Sequence, residues 1–381
     1  MQFFIKKVLS YLSFLFIKNK KKVILLPFPD SESGCISVAN RLAKDFDFKI
    51  FYTINNPKTI NKNLLHSKVN ILVRKSRADP RFLYHFYTSK YVFFTHGLFV
   101  TKVPKSQVVI NLWHGLLYKK VGMLLGAKPI FANYTVGTSE ITKDMFHQAF
   151  GVEKTTITKT GYPRNDFLLE GKKNKQQYLK KLKLSKKYKK IIIWLPTYRK
   201  SVIGDLRHDG GDYDNPFYIK NFNVDQFNEI LEQNNTLCIV KPHPMAPEFA
   251  KNKLPENILI INDQWISEKG LNLYQFLGAT DILVSDVSSV IIDYILLDQP
   301  IVCISEDFEE YSKNRGFYFE NIEDMIPTKV LRSESEFFEN IEKILINNID
   351  YYEAKRKELK HVFFDDYDAL STDRLLNTIF F

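Results

Sequence analysis

The sequence is poor in cysteine, and its cysteines have no spacing that would make a metal site or a disulfide framework. Only three occur among 381 residues, Cys35, Cys238 and Cys303, each inside or next to an apolar run. No G-x-G-x-x-G segment follows a predicted strand, so dinucleotide binding has no support. Zinc-knuckle patterns, basic heptad arrays and the aromatic-glycine signature of an RNA-binding sheet are also absent, which disfavours nucleic acid as a partner. Scattered single cysteines fit a reducing, cytoplasmic setting, and we expect them to be structural.

Positive charge is what the sequence has in excess. Lys and Arg number 54 against 43 Asp and Glu, which gives a formal net charge of +11. Such a balance indicates an anionic partner, namely nucleic acid, a phospholipid surface or a phosphorylated substrate. Six lysines crowd the first 22 residues, where no acidic residue occurs, and a second lysine cluster spans 172–190. With nucleic acid disfavoured, an anionic membrane surface and a phosphorylated substrate remain.

The apolar segment 3–17 is too short to span a membrane, which takes about 20 apolar residues. Lys6, Ser10, Ser13 and Lys20 fall along one narrow stripe at helical spacing, and lysines rather than a small-residue cleavage site follow the segment. We therefore predict that residues 1–22 form an amphipathic helix that lies on the membrane surface behind a lysine collar. The alternative is a helix packed on the protein's own core.

Short β-branched or aromatic runs alternate with polar, often helical segments along the rest of the chain. The predicted strands are 23–28, 49–53, 69–73, 91–95, 108–112, 134–136 and, more weakly, 155–160, followed by 191–195, 236–241, 258–261, 281–285 and 300–304. The predicted C-terminal helices include 290–297, 334–347 and 351–361, and a polar, glycine-containing loop at 200–217 is predicted to be a mobile active-site loop. This alternation predicts an α/β fold with parallel sheets covered by helices on both faces.

The length of the chain predicts more than one domain. We predict two Rossmann-like domains that face a cleft, one at 23–170 and one at 191–345. A lysine-rich linker or helix at 171–190 joins them, and C-terminal helices occupy 346–381.

The segment 108–122, VVINLWHGLLYKKVG, contains the first candidate catalytic residue. His114 follows a predicted buried strand, and open α/β sheets bind ligands at the carboxyl ends of their strands. Gly115 beside it lets a substrate approach the backbone closely. Because the unperturbed pKa of histidine is near 6.5, His114 is suited to proton transfer. The alternative is a core histidine bonded to the backbone.

Other strand ends carry further polar groups, which are Arg164 and Asp166 in GYPRND, Thr197 and Arg199 in PTYR, Lys241 and His243 in KPHP, and Asp286, Ser288 and Ser289 in DVSS. Because the carboxyl ends of parallel strands share one edge, we expect these groups to converge on the cleft. The guanidinium of Arg199 suits phosphate oxygens, and serines at a helix start offer hydroxyls and free N–H groups to an anion. Alone, a Ser-Ser pair is more often a helix cap and a strand-end lysine is more often solvated. Asp286 leaves a divalent metal conceivable, although we favour a role in orienting its loop.

In their order and spacing, five segments resemble the CDP-glycerol glycerophosphotransferase family, which makes wall teichoic acid and related polyol-phosphate polymers in bacteria. The segments are NLWHGLLYKKVG, TGYPRNDFL, LPTYR, VKPHP and DILVSDVSSVIIDYILLDQPIV, and they cover roughly 108–318. The resemblance implies a GT-B-like fold on a monotopic enzyme at the cytoplasmic face of the membrane, with an acceptor domain at 23–170 and a CDP-polyol-binding domain at 191–345. It also implies transfer of glycerol phosphate from CDP-glycerol to a hydroxyl of a lipid-linked acceptor, an undecaprenyl-linked saccharide, with release of CMP.

Motif by motif, the resemblance implies that His114 and His243 are the catalytic histidines. Arg199, Ser288 and Ser289 are then assigned to the donor pyrophosphate, where we also place Lys241 and Asp286, with Gly115, Arg164, Asp166 and Thr197 in support. No metal ligand set and no cofactor are predicted. Val287 stands where the family often has Tyr, and Asp366-Tyr367 replaces its usual Asp-Gly. The modest length favours a primase or short-chain transferase. The alternatives are a CDP-ribitol donor, a nucleotide-sugar transferase of the same fold, and a non-catalytic membrane-binding protein.

Overall fold

The computed structural model describes residues 19–76, 78–98, 103–184, 187–199, 211, 213–243, 246 and 254–381. Most of the predicted membrane-surface helix, and most of the predicted loop at 200–217, lie outside these residues. Within them, no helix is long and apolar enough to cross a bilayer.

The first half of the chain forms a seven-stranded parallel sheet in the order β3-β2-β1-β4-β5-β6-β7. Its strands are β1 (Asn19–Leu26), β2 (Lys49–Ile54), β3 (Val69–Val73), β4 (Ser89–Phe94), β5 (Val108–Asn111), β6 (Tyr134–Val136) and β7 (Ile157–Thr158). The central strands are buried on both faces, as near-continuous apolar runs in parallel sheets are.

The second half forms a six-stranded parallel sheet in the order β10-β9-β8-β11-β12-β13. Its strands are β8 (Lys190–Leu195), β9 (Thr236–Val240), β10 (Ile258–Ile260), β11 (Ile282–Ser285), β12 (Ile301–Ile304) and β13 (Val330–Leu331). The predicted α/β fold with parallel sheets is therefore confirmed. The short β13 was not predicted, because two residues carry no periodic signal.

Helices cover both sheets. They are α1 (Ser33–Asp45), α2 (Pro80–Thr88), α3 (Glu140–Phe150), α4 (Pro163–Lys173), α5 (Lys175–Lys181), α6 (Val224–Gln233), α7 (Asp263–Glu268), α8 (Leu273–Gly278), α9 (Val290–Tyr294), α10 (Phe308–Arg315), α11 (Glu334–Leu345), α12 (Glu353–Phe363) and α13 (Ser371–Phe380). The lysine-rich segment predicted at 171–190 as a linker or helix is helical over 171–173, in α4, and over 175–181, in α5. The predicted domain boundaries themselves stay predictions.

The first strand begins earlier than the sequence predicts. Residues 20–22, assigned to the lysine collar, lie in β1, and Lys22 is only 5% exposed. Its ammonium donates to the Thr88 hydroxyl, and burial lowers its pKa to about 8. Lys22 is therefore part of the folded domain and not of a membrane-facing collar, because the strand register turns its side chain inward.

Three kinds of contact join the halves. Arg164 forms a buried bidentate ion pair with Asp293, at 2.9 and 3.2 Å. Helices α4 and α8 touch backbone to backbone, since a Cβ on Gly278 would lie 2.0 Å from the Leu168 carbonyl oxygen. The C-terminal α13 returns to the first half, where Asp166 accepts the Ser371 and Thr372 N–H groups at its start. These contacts bring the carboxyl ends of the two sheets together.

Candidate active site

A cleft of about 230 Å³ lies where the carboxyl ends of the two sheets meet. The first half lines it with residues 113–119 and Val121, and the second half with Thr197, Tyr198, His243, Ser288, Ser289 and Arg315. A larger cavity of about 590 Å³ lies between α1, α4 and α13, but Asp166 is the only predicted site residue in its lining. Since six of the eleven predicted site residues line the smaller cleft, we take that cleft as the candidate active site.

His114 stands at the end of β5 with its ring held by the backbone. Its Nδ1 is 2.8 Å from the Thr95 carbonyl oxygen, which can only accept, so Nδ1 carries the proton and Nε2 of the neutral ring is left as a base. The residue keeps an exposed surface, but desolvation of its imidazole ring within the cleft lowers the pKa of His114 to about 4. His114 is therefore neutral at pH 7. Trp113 before it takes a left-handed backbone conformation, with φ at 51°, which turns the chain at the strand end.

Gly115 lies where the two halves approach each other closely in the cleft. A Cβ on this residue would lie 2.4 Å from Oγ and 2.9 Å from Cβ of Ser289. Gly115 therefore permits the close approach of Ser289, on the opposite wall of the cleft. The consequence is that Ser289, from the second half, sits beside His114 from the first.

His243 reaches the cleft from the end of β9. Its ring centroid is 4.7 Å from that of Tyr198. Burial, and next the positive charges of Lys241 and Lys119, lower its pKa to about 4. A neutral His243 offers hydrogen bonding to an anion and not a positive charge.

Two cations in the cleft were not assigned from the sequence, Lys119 and Arg315. Lys119 enters because the backbone of 118–120 pairs with that of 316–318, with N–O distances of 3.1 Å (Lys120 to Gly316) and 2.7 Å (Tyr318 to Tyr118). Burial lowers the pKa of Lys119 to about 8, so its ammonium is largely charged at pH 7. Lys119 follows the His-Gly pair by a few residues, a signal that the sequence offered. Arg315 carries no comparable signal.

Arg199 is buried, and the protein already uses its guanidinium. Its five N–H groups donate to Asp307 at 2.6 and 3.0 Å, to the Ser305 hydroxyl and the Thr197 carbonyl at 3.1 Å, and to Asp286. This geometry makes Arg199 a positioning group behind the cleft wall. Its direct contact with the donor pyrophosphate stays a prediction that the geometry does not support.

Asp286 and Lys241 are engaged in the same way. Asp286 accepts from the Thr197 hydroxyl at 2.6 Å and from its N–H at 3.2 Å, so it holds the loop after β8 in place. Lys241 is 6% exposed and pairs with Asp263 at 3.0 Å. Ser288 and Ser289, in contrast, line the cleft itself.

The supporting residues divide between the site and the interface of the halves. Gly115 and Thr197 line the cleft, whereas Arg164 joins the halves through Asp293 and Asp166 caps α13. Within the part of the chain that the structure describes, no group of three or more His, Cys, Asp or Glu side chains is arranged to hold a metal ion.

Comparison with known proteins gives consistent results. The chain is 27% identical over 359 residues to the teichoic acid poly(ribitol-phosphate) polymerase of Bacillus spizizenii, covering 89% of this chain and 52% of that one. It is 28% identical over 333 residues to the teichoic acid ribitol-phosphate polymerase TarL of Staphylococcus aureus, covering 82% and 55%. The chain thus spans about half the length of these two relatives.

A solved structure shares the fold. The wall teichoic acid polymerase TagF superposes with a TM-score of 0.75 at 18% identity, over 98% of this chain and 92% of that chain. Residues 10–381 match the model of one protein family. The chain therefore belongs to the CDP-glycerol:poly(glycerophosphate) glycerophosphotransferase family.

Proposed function

We propose that this protein transfers a polyol phosphate from a CDP-polyol to a hydroxyl of a lipid-linked acceptor, with release of CMP, in the synthesis of teichoic acid or a related cell-surface polymer. The observation that carries the proposal is the composition of the cleft. A neutral imidazole from one half, His114, shares it with two cations and with the hydroxyls of Ser288 and Ser289. An anionic diphosphate and a hydroxyl nucleophile are the reactants that such groups suit.

In the proposed reaction, Nε2 of His114 takes the proton of the acceptor hydroxyl as its oxygen attacks the phosphorus that bears the polyol. The bond from that phosphorus to the bridging oxygen breaks, and CMP leaves with the electron pair. The hydrogen bond to Thr95 holds the ring in the tautomer that this step requires. The proton on His114 then passes to solvent.

Charge stabilisation falls to groups of both halves. Lys119 and Arg315 supply positive charge to the diphosphate, and Ser288, Ser289 and neutral His243 supply hydrogen-bond donors. Arg199 and Asp286 act one layer behind, where they fix the backbone that presents Thr197 and Tyr198. Because phosphoryl transfer depends mainly on positioning and electrostatics, this set is sufficient.

Two donors fit the same chemistry. CDP-glycerol is the donor that the sequence predicts, and the name of the family supports it. CDP-ribitol is the second candidate, because the two relatives compared above are ribitol-phosphate polymerases. Each presents a primary alcohol phosphate to a common pyrophosphate site.

The place of action in this proposal is the cytoplasmic face of the bacterial membrane, with an undecaprenyl-linked saccharide as acceptor. The first 18 residues, which are largely apolar and carry three lysines and no acidic residue, support attachment to an anionic surface. Co-sedimentation of the full chain with phosphatidylglycerol vesicles tests this part. Equal sedimentation with neutral vesicles contradicts it.

The activity is tested with purified full-length protein, each CDP-polyol in turn and a lipid-linked disaccharide. We expect CMP release and a product heavier by one or a few polyol phosphate units, measured by mass spectrometry. UDP-sugars serve as the control donors. A product heavier by a hexose, or no product from either CDP-polyol, contradicts the proposal.

A further inference from the structure

Three neighbouring strands of the first sheet end in aromatic side chains close to His114. Strands β1, β4 and β5 lie side by side, and Phe28, His96 and Trp113 follow them. The ring centroid of His96 is 4.9 Å from that of Phe28 and 5.4 Å from that of His114, and Trp113 is 4.2 Å from His114. We call Phe28, His96 and Trp113 the aromatic row. It extends from the proposed base toward the end of β1.

The outer members of the aromatic row are open to solvent. Phe28 is 42% exposed and His96 is also exposed, while Trp113 is buried against Phe150 at a centroid distance of 4.5 Å. A phenylalanine this exposed adds little to the core. Two exposed rings, those of Phe28 and His96, lie beside the proposed base. They are more readily explained as a surface that contacts a ligand than as part of the core.

Backbone contacts fix the aromatic row relative to the base. The Phe28 N–H donates to the Thr95 hydroxyl at 2.8 Å, and the Thr95 carbonyl accepts from His114 Nδ1 at 2.8 Å. Thr95 thus holds both the backbone of Phe28 and the imidazole of His114. A ligand that lies on Phe28 and His96 is thereby held at a set distance from Nε2 of His114.

The cations of the cleft lie on its other side. Lys119 belongs to the first half, but its ammonium lies 5.0 Å from the ring centroid of Tyr311 in α10, and Arg315 is the last residue of the same helix. The positive charge that would bind a diphosphate therefore lies beside the second half. The aromatic row lies on the first half, which carries His114 and from which the hydroxyl nucleophile would approach. Flat rings suit the apolar C–H face of a sugar ring, while a polyanionic polyol-phosphate chain would be expected to need cations.

We propose that Phe28 and His96 form the acceptor subsite, where they stack on the terminal sugar ring of a glycosyl acceptor and direct its hydroxyl to His114. This assignment rests on the proposed function. It adds the side chains that hold the accepting sugar ring beside His114.

Kinetics of Phe28→Ala and His96→Ala test the subsite. We expect each variant to raise the acceptor KM about tenfold with the donor KM unchanged. The kcat of Phe28→Ala should stay within threefold of wild type, because His96 separates Phe28 from His114 in the aromatic row. Phe28→Tyr keeps the ring and should restore the wild-type acceptor KM. Phe131→Ala, which removes a phenylalanine that is 55% exposed outside the cleft, is the matched control and should change nothing.

The proposal is overturned if both alanine variants keep the acceptor KM within twofold, or if the donor KM rises as much as the acceptor KM. It is also overturned if the wild-type protein uses a glycerol-phosphate oligomer but no sugar-terminated acceptor, an outcome that leaves the proposed transfer intact.

A binding measurement separates failure of the subsite from failure of the proposed function. Saturation-transfer NMR with methyl glycosides of glucose and N-acetylglucosamine needs no donor. We expect saturation of the sugar C–H protons by the wild-type protein, and at least a fivefold smaller signal with Phe28→Ala. If transfer fails with every CDP-polyol but this difference is seen, the subsite holds and the donor assignment is wrong. Equal signals from both proteins contradict the subsite.

Discussion

The two walls of the cleft use polar residues in opposite ways. On the first sheet, His114 follows a strand end, and the Thr95 carbonyl holds its Nδ1 and leaves Nε2 for the proposed proton transfer. On the second sheet, Arg199, Asp286 and Lys241 also follow strand ends, yet each is buried against a partner of opposite charge. A polar residue at the carboxyl end of a strand can thus be either a reagent or a brace for the loop that carries one.

The largest expected effect comes from the wall that supplies the reagent. His114→Ala should lower the rate of CMP release by about 10²–10⁴-fold, the usual contribution of a general base, while the protein stays folded. His147→Ala is the matched control, since His147 also bonds a backbone carbonyl through Nδ1, at 2.8 Å, but lies outside the cleft. A folded His114→Ala protein with wild-type turnover would exclude His114 from the mechanism.

Substitution of Arg199, which holds a loop of the second wall in place, should lower the stability of the protein. Arg199→Met leaves Asp286 and Asp307 buried without a counter-charge. We therefore expect the free energy of unfolding, measured in urea, to fall by about 3–5 kcal/mol. Lys119→Met should instead raise the donor KM with stability unchanged or slightly increased, because burial already disfavours the charged form of Lys119. Should Arg199→Met stay as stable as wild type and lose only donor affinity, the contrast between the walls would fail.

The contact between the walls is tested at Gly115. Gly115→Ala places a methyl group against Ser289 and should cost about 1–3 kcal/mol of strain, with a matching loss of kcat/KM. Ser289→Gly in the same protein should relieve part of the strain. Gly97→Ala, in the other His-Gly pair, is the control because nothing lies within 4 Å of its Cβ position. Additive effects of the two cleft substitutions would mean that the walls do not touch.

The smallest effect concerns pH. Because His114 has a pKa lowered to about 4, kcat/KM should stay flat through pH 6.5, where an ordinary histidine base would be half protonated, and fall only as pH drops toward 4.

On the alkaline side, Lys119 has a pKa lowered to about 8. As pH rises through that value, the loss of its positive charge should raise the donor KM. Lys119→Arg should move this alkaline limb upward, and an unmoved limb would assign it to another group.

Much of the fold was predictable because parallel strands buried on both faces leave a strong local pattern. The runs that became β2, β3, β8 and β11 were placed within a residue or so, and the helix predicted at 290–297 is α9 followed by a 3₁₀ turn at Ile295–Leu297. The start of β1 was not predicted correctly, because Lys20, Lys21 and Lys22 made the beginning of the strand resemble a charged surface segment. The side chain of Lys22 is in fact buried. Arg315 was missed as a site residue because it is brought to the cleft by the pairing of 316–318 with 118–120, which no local pattern shows. Lys119 was missed although its position shortly after the His-Gly pair was a signal.

The sequence by itself determined the alternation of strands and helices, the two parallel sheets and the residue types at the strand ends, since hydrophobic periodicity and short motifs are local properties. Only the tertiary structure decided which of those polar residues face the cleft and which neutralise one another. Burial and partner choice depend on segments far apart in the chain, as in the pairing of Arg164 with Asp293 and of Arg199 with Asp286 and Asp307.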